Sequence, residues 1–327
     1  MQKAGERIRI NVGLVDAQDG SQIWGDRYEG KLDNVFGLQD EITRRVTNAL
    51  AVRFTRKEEQ QIATTRVDDS SAYDEFLKGW SQYQLQTPAA AREAIGHFEK
   101  AIAIDGNYSR AYAALAATYW QIARRFWSEE RFGARSNTMF AIKAEEYLAK
   151  AQERPTSLSR EVASAMLSQQ GQHARAIEEG EKAIEADPND ADAHVVLANA
   201  LTLAGQPQAA LDQVQTALRL NPISPPLYFY SLGLAEFGLG RFEDASAALE
   251  RAVAANPQDT LAYRVLLAAY GQLGRIADAE RVYPYAERSR YGQDTLTIRA
   301  VAFSFPFREG RDAERLAEGL RKANVPD

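Results

Sequence analysis

The chain contains no cysteine, which excludes disulfides, thiolate chemistry and cysteine-ligated zinc. Histidine is scarce. His97, His173 and His194 are the three present, and no two have the local spacing of a metal pair. His97 neighbours a packing position at Phe98 and His194 stands at a bulky helix position, so the histidines read as structural or surface groups. Long apolar runs are missing: nothing approaches the ~18 consecutive apolar residues that mark a membrane span, and the opening MQKAGERIRINVGLVDAQDG has no signal-peptide core. Basic charge is not in excess either. The net charge of −6 gives no electrostatic footprint for nucleic acid. The phosphate-cradling motifs GxxxxGK[ST] and GxGxxG and the nucleophile elbow GxSxG are absent. The expectation is a cytoplasmic chain, or a periplasmic one where a membrane span lies upstream, with no cofactor, no metal and no membrane insertion.

What the chain does have is a period. Gly171, Gly205, Gly240 and Gly274 are separated by 34, 35 and 34 residues. Pro188, Pro222 and Pro257 follow the same spacing. After each glycine comes a pair of alanines seven apart: Ala176 and Ala183, Ala210 and Ala217, Ala245 and Ala252, Ala279 and Ala286. The glycine ends one helix at a turn needing left-handed or tight backbone. The alanines form one stripe of the next helix and let neighbouring helices approach. The proline stops that second helix. Before each glycine, bulky residues recur at helical spacing, as in His194, Leu197 and Leu201, or Tyr263, Leu266 and Tyr270. A helix–turn–helix unit of this length and pattern resembles the tetratricopeptide repeat.

The array extends upstream. Residues 72–107 hold a copy with Ala94, Phe98 and Ala101 in its second helix and an enlarged turn at QTPAA. The next copy begins at Tyr108 with Tyr112, Leu115 and Tyr119, but its second helix, marked by Ala144, Leu148 and Ala151, comes late. The intervening stretch, at about 125–139, reads as an insertion. The fold expected is mainly α: a tetratricopeptide helical-repeat solenoid of six repeats, 72–107, 108–155, 156–189, 190–223, 224–258 and 259–291, within an array over 69–291. Residues 292–327 end in an amphipathic stretch, REGRDAERLAEGLRKANVPD, expected to cap the open end.

Residues 1–68 differ. RIRINVGLVD alternates charged and apolar residues, AQDGSQ supplies a turn and QIWGDRYEG can return, giving a β-hairpin. A long helix is expected from Asn34 or Leu38, with Ile42, Val46, Leu50 and Val52 on its apolar face. The run RIRINVGLVDAQDGSQIWGDRYEGKLDNVFGLQDEITRRV is similar to the end of a small α/β domain of the TolB-amino-terminal-like type. With AYDEFLKGW opening the array and EGLRKANVP near its end, the chain resembles the C-terminal region of bacterial class III adenylate/guanylate cyclase-like proteins. A related layout occurs in transcriptional regulators with an N-terminal winged helix. The resemblance implies a sensing or docking half whose effector domain lies upstream of these residues. Nothing in the chain resembles a cyclase catalytic domain, and no cyclase activity is implied for it.

Candidate chemistry is thin. Glu178, Glu179, Glu181 and Glu185 read as a solvated helix face. Arg124, Arg125 and Arg131 lie among Trp120, Phe126, Trp127 and Phe132, but Glu129 and Glu130 sit inside the cluster, which favours packing over nucleic-acid contact. The register of the first helices places Tyr73, Trp80 and Tyr83, then Ala113, Ala117 and Trp120, then Asn199 and Thr202, then Tyr230 and Phe237, then Arg264 on a concave groove. An aromatic, partly apolar groove of this kind marks either a site for a protein or peptide partner or packing between helices. The function expected is a non-enzymatic interaction scaffold. The alternatives are a self-association module pairing through its hairpin edge into a homo-oligomer, or the ligand-sensing region of a winged-helix regulator.

Overall fold

A computed structural model describes residues 2–4, 7–15, 22–31, 42, 70–125, 137–287 and 296–327. Contacts divide the chain into two compact units, Met1–Ala111 and Tyr112–Asp327, and each is taken by itself. The expected long helix after the hairpin and the bulk of the expected insertion fall outside the described residues.

The first unit opens with an antiparallel sheet in the order β1 (Gln2–Ala4), β2 (Arg7–Val15), β3 (Gln22–Lys31). Pairing runs from Arg7↔Lys31 to Leu14↔Trp24, with a register irregularity at Leu14/Val15. The hairpin is the one the alternation predicts: Ile10 and Val12 turn inward, Arg9, Asn11 and Gly13 outward, and Tyr28, opposite Ile10, is buried. β1 was not anticipated, because three residues carry too little alternation to register. Helices α1 (Ser70–Gln84) and α2 (Pro88–Ile104) follow. Thr87 caps α2, its hydroxyl accepting from Ala90 N at 3.2 Å, and Pro88 occupies the first turn where its missing N–H costs nothing. Ala94, Phe98 and Ala101 are fully buried, and Phe98 packs over Gly79 and against Phe76, ring centroids 5.7 Å apart.

From Ser109, three residues before the second unit begins, five helix pairs succeed one another among the described residues. They are α3 (Ser109–Arg125) and α4 (Asn137–Ala151), α5 (Ser157–Gln169) and α6 (His173–Ala186), α7 (Ala191–Leu203) and α8 (Pro207–Leu220), α9 (Pro226–Leu239) and α10 (Phe242–Ala255), α11 (Thr260–Leu273) and α12 (Ile276–Ala286). With α1 and α2 this makes six pairs. The periodic glycines do what their spacing implies. Gly171, Gly205, Gly240 and Gly274 all have φ between 69° and 80°. The residue after each donates its N–H five residues back across the turn: Gln172 to Leu167, Gln206 to Leu201, Arg241 to Glu236 and Arg275 to Tyr270, at 2.9–3.0 Å. The alanine pairs are buried to 1% exposure or less. In three repeats the second alanine also accepts from the residue ahead of the proline (Asp187, Asn221, Asn256), closing the second helix.

A short helix, α13 (Ile298–Ala302), and α14 (Gly310–Lys322) end the chain. α14 crosses α11 with its backbone close: a Cβ on Gly271 would run into the Gly319 carbonyl, and one on Gly319 into the Ala268 carbonyl. Leu316, Leu320, Val301 and Phe305 join Phe237, Leu266 and Tyr270 in one buried cluster.

Two kinds of glycine are thus separable by substitution. Gly240 meets nothing within 4 Å, so Gly240→Ala is expected to cost only the left-handed backbone penalty, about 1–2 kcal/mol. Gly319→Ala has no such penalty but must push α14 off α11, at about 1–3 kcal/mol. Chemical denaturation measures both losses. Hydrogen exchange separates them, because only Gly319→Ala should raise exchange selectively in α14.

Candidate functional site

The turn glycines set a common register for the first helix of each pair. Three residues before the turn stand Ser168, Thr202, Phe237 and Gly271; ten before it stand Glu161, Val195, Tyr230 and Arg264. In α3, which runs past this point to Arg125, Trp120 holds the equivalent position when counted from the helix start. These rows share one helix face by periodicity, and they are the face that the sequence assigned to the groove.

The structure treats the nine predicted residues unequally. In the first unit Trp80 stacks on Tyr83 at 5.1 Å and on Phe76 at 5.9 Å, and Tyr73, Trp80 and Tyr83 are all half-buried. In the second, Trp120, Asn199 and Arg264 are half-buried, whereas Thr202, Phe237 and Tyr230 are buried to 2%, 2% and 8% exposure. The Thr202 hydroxyl is spent on the Ala198 carbonyl of its own helix at 2.9 Å. Phe237 packs on Phe242 and Tyr230 lies in the core of the last repeats, so substitutions at these two act through packing. Ala113 and Ala117 are buried as well. Arg264 is anchored, donating to Ala286 O at 3.3 Å and to Ser304 Oγ at 3.1 Å.

Several polar atoms of the first helices are buried without a partner among the described residues: Trp120 Nε1 and Gln121 Oε1 on α3, Ser168 Oγ on α5, Asn199 Oδ1 on α7 and Ser231 Oγ on α9. A buried donor or acceptor left unmade costs about 1–3 kcal/mol. Four successive first helices therefore carry unused hydrogen-bonding capacity. Arg125, part of the basic and aromatic cluster, lies 3.6 Å from Asp259 Oδ2, and burial holds the Arg124 guanidinium below its usual range. Both arginines are held in packing; Phe126, Trp127, Arg131 and Phe132 lie outside the described residues.

The groove residues that sequence reasoning missed are acidic. Ser157 Oγ lies 3.1 Å from Glu161 Oε1 and 3.0 Å from Asp190 Oδ2, while Asp190 Oδ1 caps α7 and Tyr228 donates to Asp192 Oδ1 at 2.8 Å. Glu161 is 7% exposed. Burial first, then the charges of Asp190 and Asp192, push its carboxyl well above the ordinary range. Burial raises Asp192 too. The offset that selected Tyr230 and Arg264 selects Glu161 when counted back from Gly171, so the signal was present.

Two histidines and a further carboxylate are held in side-chain contacts, whereas His173 Nδ1 is buried without a partner among the described residues. His194 bonds Gln213 Oε1 at 2.7 Å and the Pro188 carbonyl at 3.2 Å, His97 bonds Glu75 Oε2 at 2.8 Å, and Glu179 pairs with Arg160 at 2.7 Å. Among the described residues no group of three or more His, Asp or Glu is placed to hold a metal ion, and no helix is long and apolar enough to cross a membrane.

The tetratricopeptide repeat family matches residues 167–229, and the bacterial transcriptional activator domain matches residues 228–293. Among curated proteins the chain is similar to "Putative adenylate cyclase 3" of Rhizobium meliloti (strain 1021), 31% identical over 116 residues. That match takes in 36% of this chain and spans 20% of the relative's length. Among solved structures, PilF of Pseudomonas aeruginosa is 15% identical, covering 66% of this chain and 87% of its own, with a TM-score of 0.42. YrrB, described as a TPR protein with an unusual peptide-binding site, is 23% identical over 54% of this chain and 90% of its own, with a TM-score of 0.36. The family match falls on the helix pairs of residues 167–229, and the other pairs share their helix–turn–helix build.

The acidic cluster gives a pH dependence. Unfolded, Glu161 titrates near about 4.3; folded, it holds its proton to higher pH. The unfolded chain therefore releases that proton first, so this contribution to stability is complete only below about pH 4.3 and is lost as pH rises through the folded value. Glu161→Gln keeps a donor but cannot ionise. Its thermal midpoint is expected to equal that of the native chain near pH 4 and to exceed it by about 2–4 °C at pH 8. Thermal denaturation across that range checks the sign.

Proposed function

We propose that this chain is a non-enzymatic docking module whose repeats bind a peptide or a segment of a protein partner along the inner face of the first helices. The observation that carries it is the row of unpartnered buried polar atoms at Trp120, Gln121, Ser168 and Asn199, on three successive first helices. A peptide main chain offers a donor and an acceptor at every residue, and is the ligand whose chemistry suits such a row. Trp120, half-buried with its indole N–H unused, supplies the aromatic anchor that interfaces favour. Tyr73, Trp80 and Tyr83 form a separate half-buried aromatic surface on α1.

The relative lends support to a wider role. The segment shared with the putative adenylate cyclase covers only a fifth of that protein, and the sequence of the present chain carries no cyclase motif. We place the repeats as the sensing or docking part of a larger bacterial signalling protein, in the cytoplasm, with no cofactor and no nucleic acid bound by the repeats themselves. The self-association alternative would use β3, which has one neighbouring strand among the described residues. Its exposed Arg27 and Glu29, the latter paired with Arg9 at 2.7 Å, are charges of the kind that blunt a sheet edge.

Peptides selected from a displayed random library against the purified chain provide the test. Trp120→Phe deletes the indole N–H and Asn199→Ala the amide, each with little change in packing. Each is expected to weaken the selected peptides by about tenfold, the value of one hydrogen bond of ~1.4 kcal/mol. Selected peptides that bind the double variant as tightly as the native chain would remove the inner face as the docking site.

A further inference from the structure

The C-terminal residues follow the same register as the repeats. Two residues before each turn glycine stand Gln169, Leu203, Gly238 and Gln272. The segment from Leu296 to Asp327 hydrogen-bonds to all four. Gln169 Nε2 donates to Phe303 O at 3.5 Å; Arg308 N donates to Leu203 O at 2.8 Å; Arg315 Nη1 donates to Gly238 O at 2.6 Å; Gln272 Nε2 donates to Arg315 O at 2.9 Å, and Lys322 Nζ to Gln272 Oε1 at 2.9 Å. In chain order the segment thus passes from the third repeat to the sixth, touching the equivalent position of each first helix. A terminal cap would cover the last pair alone. The neighbouring row is under it as well: Phe237 shares a buried cluster with Phe305 and Leu316, and Gly271 faces Gly319. Arg264, ten before its turn, bonds Ser304.

α14 has the build of a bound ligand. Its apolar stripe, Leu316, Gly319, Leu320 and Ala323, is buried, and the rest of the helix carries exposed Arg311, Glu314, Glu318 and Lys322. Asp312, 3% exposed, pairs with Arg315 at 3.0 Å and so orients the guanidinium toward the Gly238 carbonyl. Gly319 allows the backbones of α11 and α14 to meet, which no larger residue permits. This is the helix-in-groove mode of recognition, with anchors at helical spacing.

We infer that Leu296–Asp327 is a self-ligand: it occupies an amphipathic-helix site on the first helices of repeats three to six and withholds that site from a partner. The inference rests on the docking reading above only in taking the first helices as a binding face, and goes beyond it by assigning their turn edge to a second class of ligand. That partner is an amphipathic helix with an arginine, two leucines and a small residue in the order Arg-Leu-x-x-Gly-Leu of α14. Engagement then requires exchange of the chain's own helix for the partner's, so affinity is set by the difference between two similar helices rather than by either one alone.

The test uses the full chain and a labelled peptide of residues 296–327. In Gly319→Leu the new side chain meets the Ala268 carbonyl, so α14 leaves its seat. This variant is expected to bind the labelled peptide at least about tenfold more tightly than the native chain, whose site is filled. A peptide carrying the same substitution should not bind. A folded Gly319→Leu chain that binds the native peptide no better than the native chain does overturns the inference. If Gly319→Leu does not fold, Arg315→Ala decides. It removes the bond to Gly238 and is expected to raise peptide binding several-fold, and unchanged binding overturns the inference. Library peptides that still depend on Trp120 and Asn199 when the self-ligand test fails would leave the docking function standing without it.

Discussion

The left-handed backbone at Gly171, Gly205, Gly240 and Gly274 is the constraint from which the rest of the array follows. Each turn reverses the chain in two or three residues, with the bond from the following residue closing the first helix five residues back. Because the closure is the same each time, the phase of the first helix is the same each time, and a residue at a given distance before the turn always faces the same way. The paired alanines then fix how near the second helix comes. Position counted from a glycine becomes position on a face.

That regularity has an energetic consequence. A face built by repetition can be lined by side chains of different character without changing the backbone that carries them. The ten-before row holds Glu161, Val195, Tyr230 and Arg264: an acid, an aliphatic, a phenol and a base. Packing of the second helices supplies stability through small residues, so the inner rows can hold groups that cost stability. Glu161 beside Asp190 and Asp192 is such a group, and so is the unsatisfied indole of Trp120. Groups that oppose folding yet persist in a well-packed array are where binding is to be sought.

The fold was legible because its determinants are local. Glycine, alanine pair and proline each act within a few residues, and their repetition at one period leaves little freedom. The hairpin was legible from strict alternation in RIRINVGLVD. Three things were not. β1 is too short to show a period. Phe237 and Thr202 lie on the inner face, as their register says, but they are closed over, and register cannot tell an open face from a covered one. The covering segment is more than sixty residues from Phe237 in the chain, and Gly319 reads as an ordinary helix glycine until α11 is placed against it. Amphipathicity announced α14 as a helix with something to bury, not where it would bury it.

The covered three-before row and the buried, unpartnered atoms elsewhere belong to the same first helices. The C-terminal segment takes the rows nearest the turns, at Gln169, Leu203, Gly238 and Gln272, while the unsatisfied atoms of Trp120, Asn199 and Ser231 belong to positions it does not bond. Filling the turn edge stiffens the first helices against one another, because a single segment is bonded to four of them. The remaining face is thereby presented in one geometry, which lowers the ordering cost of binding there. The same helix that excludes a competitor from one half of the surface preorganises the other half.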